Sequence, residues 1–280
     1  MEYDGTFEAV VAEVGHLTPS LLRVVLAGPG VAAYRGLDAG DECLTMRFPD
    51  VDPAPGSDGW AWRNYTVRAK DATSLVVDVV LHEGGSASTW ARSAQVGDTL
   101  VLARPRSWYA PPAGTTARLL VADMTGLPAL ARIVESLSPA EAAATTIVVE
   151  LLTARDVDAL PHRPGLRIET FVGPGARGGS GSLALRCAPF VPPVEGGYVW
   201  FAGEASESRA IRKHLRGDRG YATAQAHCVG YWRRDAEAWL ARFAPRAEEL
   251  LAHYEAALAR GEGWEAASEA YDTALERAGL

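Results

Sequence analysis

With 280 residues, 48% of them hydrophobic and 22% charged, the chain has a globular composition and is long for one core, so two domains are expected. The formal net charge of −8 lacks the basic footprint of a nucleic-acid binder, so any anionic ligand must be met by local arginines. Three widely spaced cysteines (Cys43, Cys187 and Cys228) and six scattered histidines offer neither a disulfide framework nor a ligand spacing, and no metal site is expected.

The opening Met1-Glu2-Tyr3-Asp4 is acidic and polar, unlike a signal peptide, and no apolar run is long enough to span a bilayer. A cytoplasmic protein without a membrane partner is expected. The first zone, to about Pro112, reads as all-β. Phe7 to Val14, Leu21 to Leu26, Leu44 to Phe48, Tyr65 to Ala69, Leu75 to Leu81 and Thr99 to Ala103 are short runs rich in Val, Leu and Thr. Gly, Pro and Asp punctuate them, as at Gly28-Pro29-Gly30 and Val96-Gly97-Asp98, and six such strands suggest a small closed barrel. Pro49 to Gly59 reads as an exposed loop.

Within this zone, Arg63-Asn64-Tyr65-Thr66 precedes the Leu75 to Leu81 strand and the small-residue turn His82-Glu83-Gly84-Gly85-Ser86-Ala87-Ser88-Thr89. Alternate strand residues share a face, so Arg63 and Tyr65 project together. An aromatic ring can lie on an isoalloxazine while an arginine fork reaches a pyrophosphate, and the helix opening at Ser86 to Thr89 adds free N–H groups for phosphate. The plain alternative is a half-buried strand and hairpin that happens to carry an Arg and a Tyr.

After Pro111-Pro112-Ala113-Gly114, strands at Leu119 to Ala122, Ile147 to Leu152, Leu166 to Phe171, Tyr198 to Ala202 and Ala226 to Val229 alternate with helices at Thr125 to Leu137 and Ser206 to Arg216, the latter capped by Ser206. This pattern predicts a doubly wound parallel sheet, with ligands at the carboxyl ends of its strands. Asp123-Met124-Thr125-Gly126 and Gly203-Glu204-Ala205-Ser206 fall on that edge, although every α/β domain has such turns. From Asp235 to Leu280 the chain is helical, and Trp264, Ala267, Tyr271 and Leu275 form an apolar stripe that suits packing on the chain itself or a homodimer interface.

To Arg234 the chain resembles the siderophore-interacting protein family, FAD-dependent ferric-siderophore reductases of the ferredoxin-NADP reductase superfamily. The matching pieces are Arg63 to Arg68, Val79 to Gly85, Ala87 to Ala91, Arg104 to Ser107, Thr125 to Ala129, Gly203 to Ala205 and Gly230 to Arg234. The strand and helix pattern gives a six-stranded antiparallel β-barrel at 1–112, an α/β domain at 113–234 and a helical extension at 235–280; the resemblance implies that the barrel binds FAD and the α/β domain NADPH or NADH. It places Tyr65 and Thr66 at the isoalloxazine, Arg63 with Ala87, Ser88 and Thr89 at the pyrophosphate, and Val80 and His82 beside the flavin. Asp123, Thr125, Gly126 and Glu204 would border the nicotinamide, and Tyr231 and Trp232 would cover the flavin. The chain departs from the pattern twice: Thr45 stands where a lysine is usual, and Met124 where a carboxylate is usual.

Such a protein reduces a bound ferric chelate to Fe(II) through its cofactor, so no side chain need act as acid, base or nucleophile. Arg47, Arg106, Arg233 and Arg234 are the cations available to an anionic ferric siderophore, each otherwise a solvated surface residue. Two other classes remain: a specialised-metabolism flavoenzyme acting on an organic substrate with FAD structural, and a non-enzymatic flavin module passing electrons to a protein. A monomer and a homodimer both suit the sequence.

Overall fold

A computed structural model describes residues 5–53, 57–173, 182–234 and 236–280, with the side chains at 182, 237, 264 and 265 outside that description. The first sheet is built from β1 (Phe7–Thr18), β2 (Leu21–Ala27), β3 (Cys43–Pro49), β4 (Trp60–Thr66), β5 (Ala69–Lys70), β6 (Ser74–Val80) and β7 (Thr99–Arg106). Its order is β4-β3-β7-β1-β2-β6-β5, with antiparallel neighbours. Alternation puts Phe7, Ala9 and Val11 of β1 into one core with Leu44, Met46 and Phe48 of β3, while Glu8 and Val10 face out. Two short helices, α1 (Pro29–Ala33) and α2 (Ser86–Ser93), cover it.

The sheet is barrel-like but not closed by a ladder, which corrects the expected closed barrel. The Arg63 strand begins at Trp60 and stops at Thr66. Val67 N–H then donates to Glu42 O at 2.8 Å, and Arg68 N–H donates to Val76 O at 2.8 Å. Within two residues the chain therefore leaves one edge of the sheet and joins the other, so the covalent chain spans the gap.

The second sheet has the order β10-β9-β8-β11-β12, formed by β8 (Ala117–Ala122), β9 (Thr145–Leu151), β10 (Arg167–Val172), β11 (Gly197–Glu204) and β12 (Ala226–Trp232). β10, β9, β8 and β11 pair in parallel. Both faces are covered, which is why β8 and β11 read as unbroken apolar runs. Leu120, Ala122 and Trp200 pack on α3 (Leu127–Ser136); Leu119, Val121 and Phe201 pack on α5 (Ser182–Cys187) and α6 (Ala205–Lys213). A short α4 (Pro139–Ala143) follows α3.

The chain divides into two compact units, Met1–Tyr231 and Trp232–Leu280. Both sheets lie in the first, and polar contacts cross between them. Arg68 forms a fork on Glu135 of α3 at 2.5 and 2.7 Å, and Arg132 of α3 returns to Glu42 at 3.1 Å and Val67 O at 2.6 Å. Fully buried Asp156, in the turn after β9, accepts from the hydroxyls of Thr18 and Ser20 at 2.5 and 2.8 Å and from Thr153 N at 2.8 Å. The second unit comprises α7 (Ala236–Phe243), α8 (Ala247–Ala259) and α9 (Trp264–Arg277). In it Leu275, Ala274 and Leu280 pack with Leu250, Trp239 and Tyr271, so Tyr271 and Leu275 of the expected stripe are used inside the unit. Among the described residues no helix is long and apolar enough to cross a membrane.

Candidate functional site

The β3–β4 register sets the first half of the site. Met46 stands opposite Arg63 and Leu44 opposite Tyr65, so Arg63 and Tyr65 emerge on the core side of the pleat. Tyr65 packs edge-on against Phe48, 5.6 Å between centroids, and burial pushes its phenol pKa up. Arg63 is exposed; its only hydrogen bond among the described residues runs from Nη1 to its neighbour's carbonyl, Trp62 O, at 2.9 Å. The guanidinium is therefore available to a ligand.

Phe48 also meets Trp90 of α2, at 5.3 Å, and Ser86 Oγ donates to Asp50 Oδ1 at 2.9 Å. These contacts bring the start of α2 to the same end of the barrel as Tyr65. Gly84 and Gly85 adopt φ of +73° and +80°, a left-handed turn that favours glycine, and a Cβ on Gly85 would stand 2.9 Å from the His82 ring. Gly85 caps α2 without a side chain, leaving first-turn N–H groups uncapped. The Ser88 hydroxyl is committed to the turn, accepting from His82 N at 3.0 Å and donating to His82 O at 2.8 Å. Ser88 can thus offer a ligand its backbone N–H rather than its side chain. Ala87 is buried, Thr89 exposed, and His82 and Val80 half-buried.

The second half lies at the carboxyl ends of β8, β11 and β12. Thr125 turns its N–H and hydroxyl onto Asp123 Oδ1, at 2.8 and 2.6 Å. A Cβ on Gly126 would meet Ala202 O at 2.7 Å, and one on Gly203 would meet Asp123 Oδ2 at 2.9 Å. The two strand-to-helix turns are packed backbone against backbone. Glu204, rather than the expected Ser206, caps α6: its Oε2 accepts from Ser206 N at 2.7 Å and Glu207 N at 3.2 Å. Asp, Asn, Ser and Thr lead the statistics of such caps, which is why Ser206 looked the better choice. Met124 is only 3% exposed among Leu127, Leu130 and Trp200, so this position faces the core.

The halves meet at Tyr231. Its hydroxyl is buried with no hydrogen-bond partner at ordinary geometry. Burial, then Asp41 and Cys43, push its pKa well up, hydrogen bonding with Thr66 opposes this, and Asp123 adds to it. Thr66 of the barrel is thus a hydrogen-bonding neighbour of this phenol, and the charge of Asp123 on the parallel sheet also reaches it. Trp108 lies 6.4 Å away from it, held by Asp41, which accepts Trp108 N at 3.0 Å, Ser107 Oγ at 2.6 Å and the Trp200 indole at 3.1 Å. Asp41 was not foreseen; its partners are 66 to 159 residues distant, beyond any local pattern.

An FAD needs an arginine and uncapped N–H groups for its diphosphate, an aromatic face, and polar partners at the ring edge. Arg63, the α2 terminus, Tyr65, and the Thr66–Tyr231 pair with its orphan hydroxyl supply these, so the residues fit the group. Of the substrate candidates, Arg47 is half-buried and Arg106 exposed. Trp232, Arg233 and Arg234 open the second unit, where the Arg233 guanidinium lies 3.9 Å over the Trp239 ring. Burial first raises each cysteine to about 12, so all three stay thiols. Among the described residues no group of three or more His, Cys, Asp or Glu is placed to hold a metal ion.

Comparison with known proteins agrees with this geometry. Residues 10–109 match the family model for the siderophore-interacting FAD-binding domain, and residues 115–235 match that for siderophore-interacting protein. The NADPH-dependent ferric-chelate reductase of Escherichia coli is 28% identical over 242 residues, covering 80% of this chain and 92% of that one. The ferric acinetobactin reductase of Acinetobacter baumannii is 30% identical over 177 residues, 61% of this chain and 60% of that one. A siderophore utilization protein from T. fusca superposes with a TM-score of 0.72 at 29% identity, over 84% of this chain and 95% of that one.

Proposed function

The chain belongs to the siderophore-interacting protein family, and from that premise we propose that it takes electrons from NADPH or NADH through FAD and delivers them to a ferric siderophore, freeing Fe(II). The observation that carries the reading is the junction at Tyr231, a phenol buried without a hydrogen bond of ordinary geometry, beside Thr66 of the Arg63-Tyr65-Thr66 strand and within reach of the Asp123 charge. Bound FAD supplies the exchange between a two-electron donor and a one-electron acceptor. The chain's residues bind and orient. Arg63 and the α2 N–H groups take the diphosphate, Tyr65 offers its ring, and Thr66 and Tyr231 offer polar contacts. Thr125 and the tight Gly126 turn border the nicotinamide. Arg47 and Arg106 draw an anionic chelate against the net field of the protein.

A second reading, a flavoenzyme for a neutral organic substrate, draws on Thr45. That residue is buried and donates to Asn64 Oδ1 at 2.8 Å, so no cation stands there. Anaerobic mixing separates the two readings. NADPH or NADH should bleach the flavin, and a ferric chelate should restore its colour while an Fe(II)-specific dye reports the released metal. No bleaching by either nucleotide at saturation would end the reductase reading; bleaching without reoxidation by any ferric chelate would favour the organic substrate.

A further inference from the structure

The outward face of β4 carries Trp60, Trp62, Asn64 and Thr66, opposite Pro49, Arg47, Thr45 and Cys43 of β3. Trp60 and Trp62 are 41% and 39% exposed, although indoles are costly to leave in water. Between them the Arg47 guanidinium sits 4.5 Å from the Trp60 centroid and 5.9 Å from that of Trp62. Its Nε is buried with no hydrogen-bond partner, and it joins none of the ion pairs among the described residues. The side chain is thus stacked but not neutralised. Its ring-facing surfaces are used, and its in-plane donors are left for an anion.

The row leads to the junction. From Trp62 to Thr66 is four strand residues, about 13 Å at the usual rise, and Thr66 stands beside Tyr231. A ligand on the indoles would lie along the face that ends at Thr66, the opposite face of β4 from Arg63 and Tyr65. An anion alone would need only the arginine. Two exposed indoles beside it add flat faces, which suit a ligand whose own donor groups are rings.

We propose that Arg47, Trp60 and Trp62 form an aryl-recognising subsite that selects anionic iron chelates built on aromatic ligands, of the catecholate type, over equally charged chelates without rings. The inference rests on the reductase reading and names its preferred substrate class. One well-placed ring pair corresponds to up to about tenfold in affinity.

Gallium(III) has the charge of Fe(III) but is not reduced under these conditions, so binding can be read without turnover. Oxidised holoprotein is titrated by calorimetry with the gallium(III) tris-catecholate and tris-oxalate complexes, both trianions. The wild type should bind the catecholate about tenfold more tightly. Trp60→Ala/Trp62→Ala should abolish that preference, whereas Arg47→Gln should weaken both complexes alike. Trp60→Thr/Trp62→Thr, which keeps strand-favouring residues without rings, repeats the test if the alanines disturb β4; FAD content and an unshifted thermal midpoint certify the fold. Equal binding by the wild type, or a preference that survives in the ring-less variants, overturns the subsite. If that happens while both ferric complexes are still reduced, the subsite falls and the reductase stands. If neither gallium complex binds and neither ferric complex is reduced, both fall.

Discussion

Replacing Arg63 by Ala separates a ligand-binding residue from a structural one. Arg63 is exposed, and its one hydrogen bond is to an adjacent carbonyl, so the apoprotein should lose no more than about 0.5 kcal/mol. A charge-assisted contact to a diphosphate contributes about 1.5–3 kcal/mol, which is roughly 10–100-fold in FAD affinity. Linkage makes the same number visible as heat stability. At an FAD concentration 1,000 times the wild-type Kd, the flavin stabilises the wild type by about 4.1 kcal/mol and the variant by about 1.4–2.7. For a unit of this size that difference lowers the holoprotein midpoint by about 3–10 °C and leaves the apoprotein midpoint in place. Flavin-fluorescence titration gives Kd, and scanning calorimetry with and without FAD gives both midpoints. Rising salt should narrow the gap between wild type and variant, because the lost contact is ionic. A variant whose apoprotein melts earlier by the same amount, or whose FAD affinity stays within twofold, would refute the assignment.

Three further outcomes follow from the packing. Asp156→Asn should cost about 3 kcal/mol near pH 7, some 6–12 °C, since its carboxylate gathers buried donors from both sheets. Burial pushes that carboxyl up, but the hydrogen bonds outweigh it and hold it below its usual value; its contribution is therefore complete above about pH 4 and is lost as pH falls through the lowered pKa, so the variant should show a shallower acid limb in pH-dependent melting. Met124→Glu should destabilise the protein by several kcal/mol rather than restore a cofactor contact, as urea unfolding would show, because the position is buried among apolar side chains. Tyr231→Phe should leave the apoprotein as stable or slightly more so, because the hydroxyl removed makes no hydrogen bond of ordinary geometry, while FAD titration should show weaker binding.

Both sheets were legible in the sequence because their signals are local. The alternation of β1 and the apolar runs of β8 and β11 follow directly from which faces are covered. The α2 turn was legible because Gly84 and Gly85 need positive φ. Trp60 and Trp62 hid the start of β4: they follow a Pro- and Gly-rich loop, and bulky aromatics placed outward contradict the usual pattern. The sequence around Met124 points to a cofactor edge, while its burial is decided by packing with Leu127 and Leu130 of α3. Asp41, Asp156 and Glu42 were not legible at all. A carboxylate is buried only where distant donors converge, and sequence shows no trace of that convergence.

The seam between the two sheets bears on how such proteins can be recombined. Arg68 of the barrel needs Glu135 of the helix, Arg132 of the helix needs Glu42 of the barrel, and Thr18 and Ser20 need Asp156. Each pair is split across the point where a domain graft would be cut. A chimaera joining this barrel to another relative's nucleotide half would inherit one member of each pair and strand the other as a buried charge or an unmet hydroxyl. The halves look interchangeable on a topology diagram, yet their exchange requires transplanting the partners together, and drift at any one of these positions is constrained by a residue 67 to 138 places away.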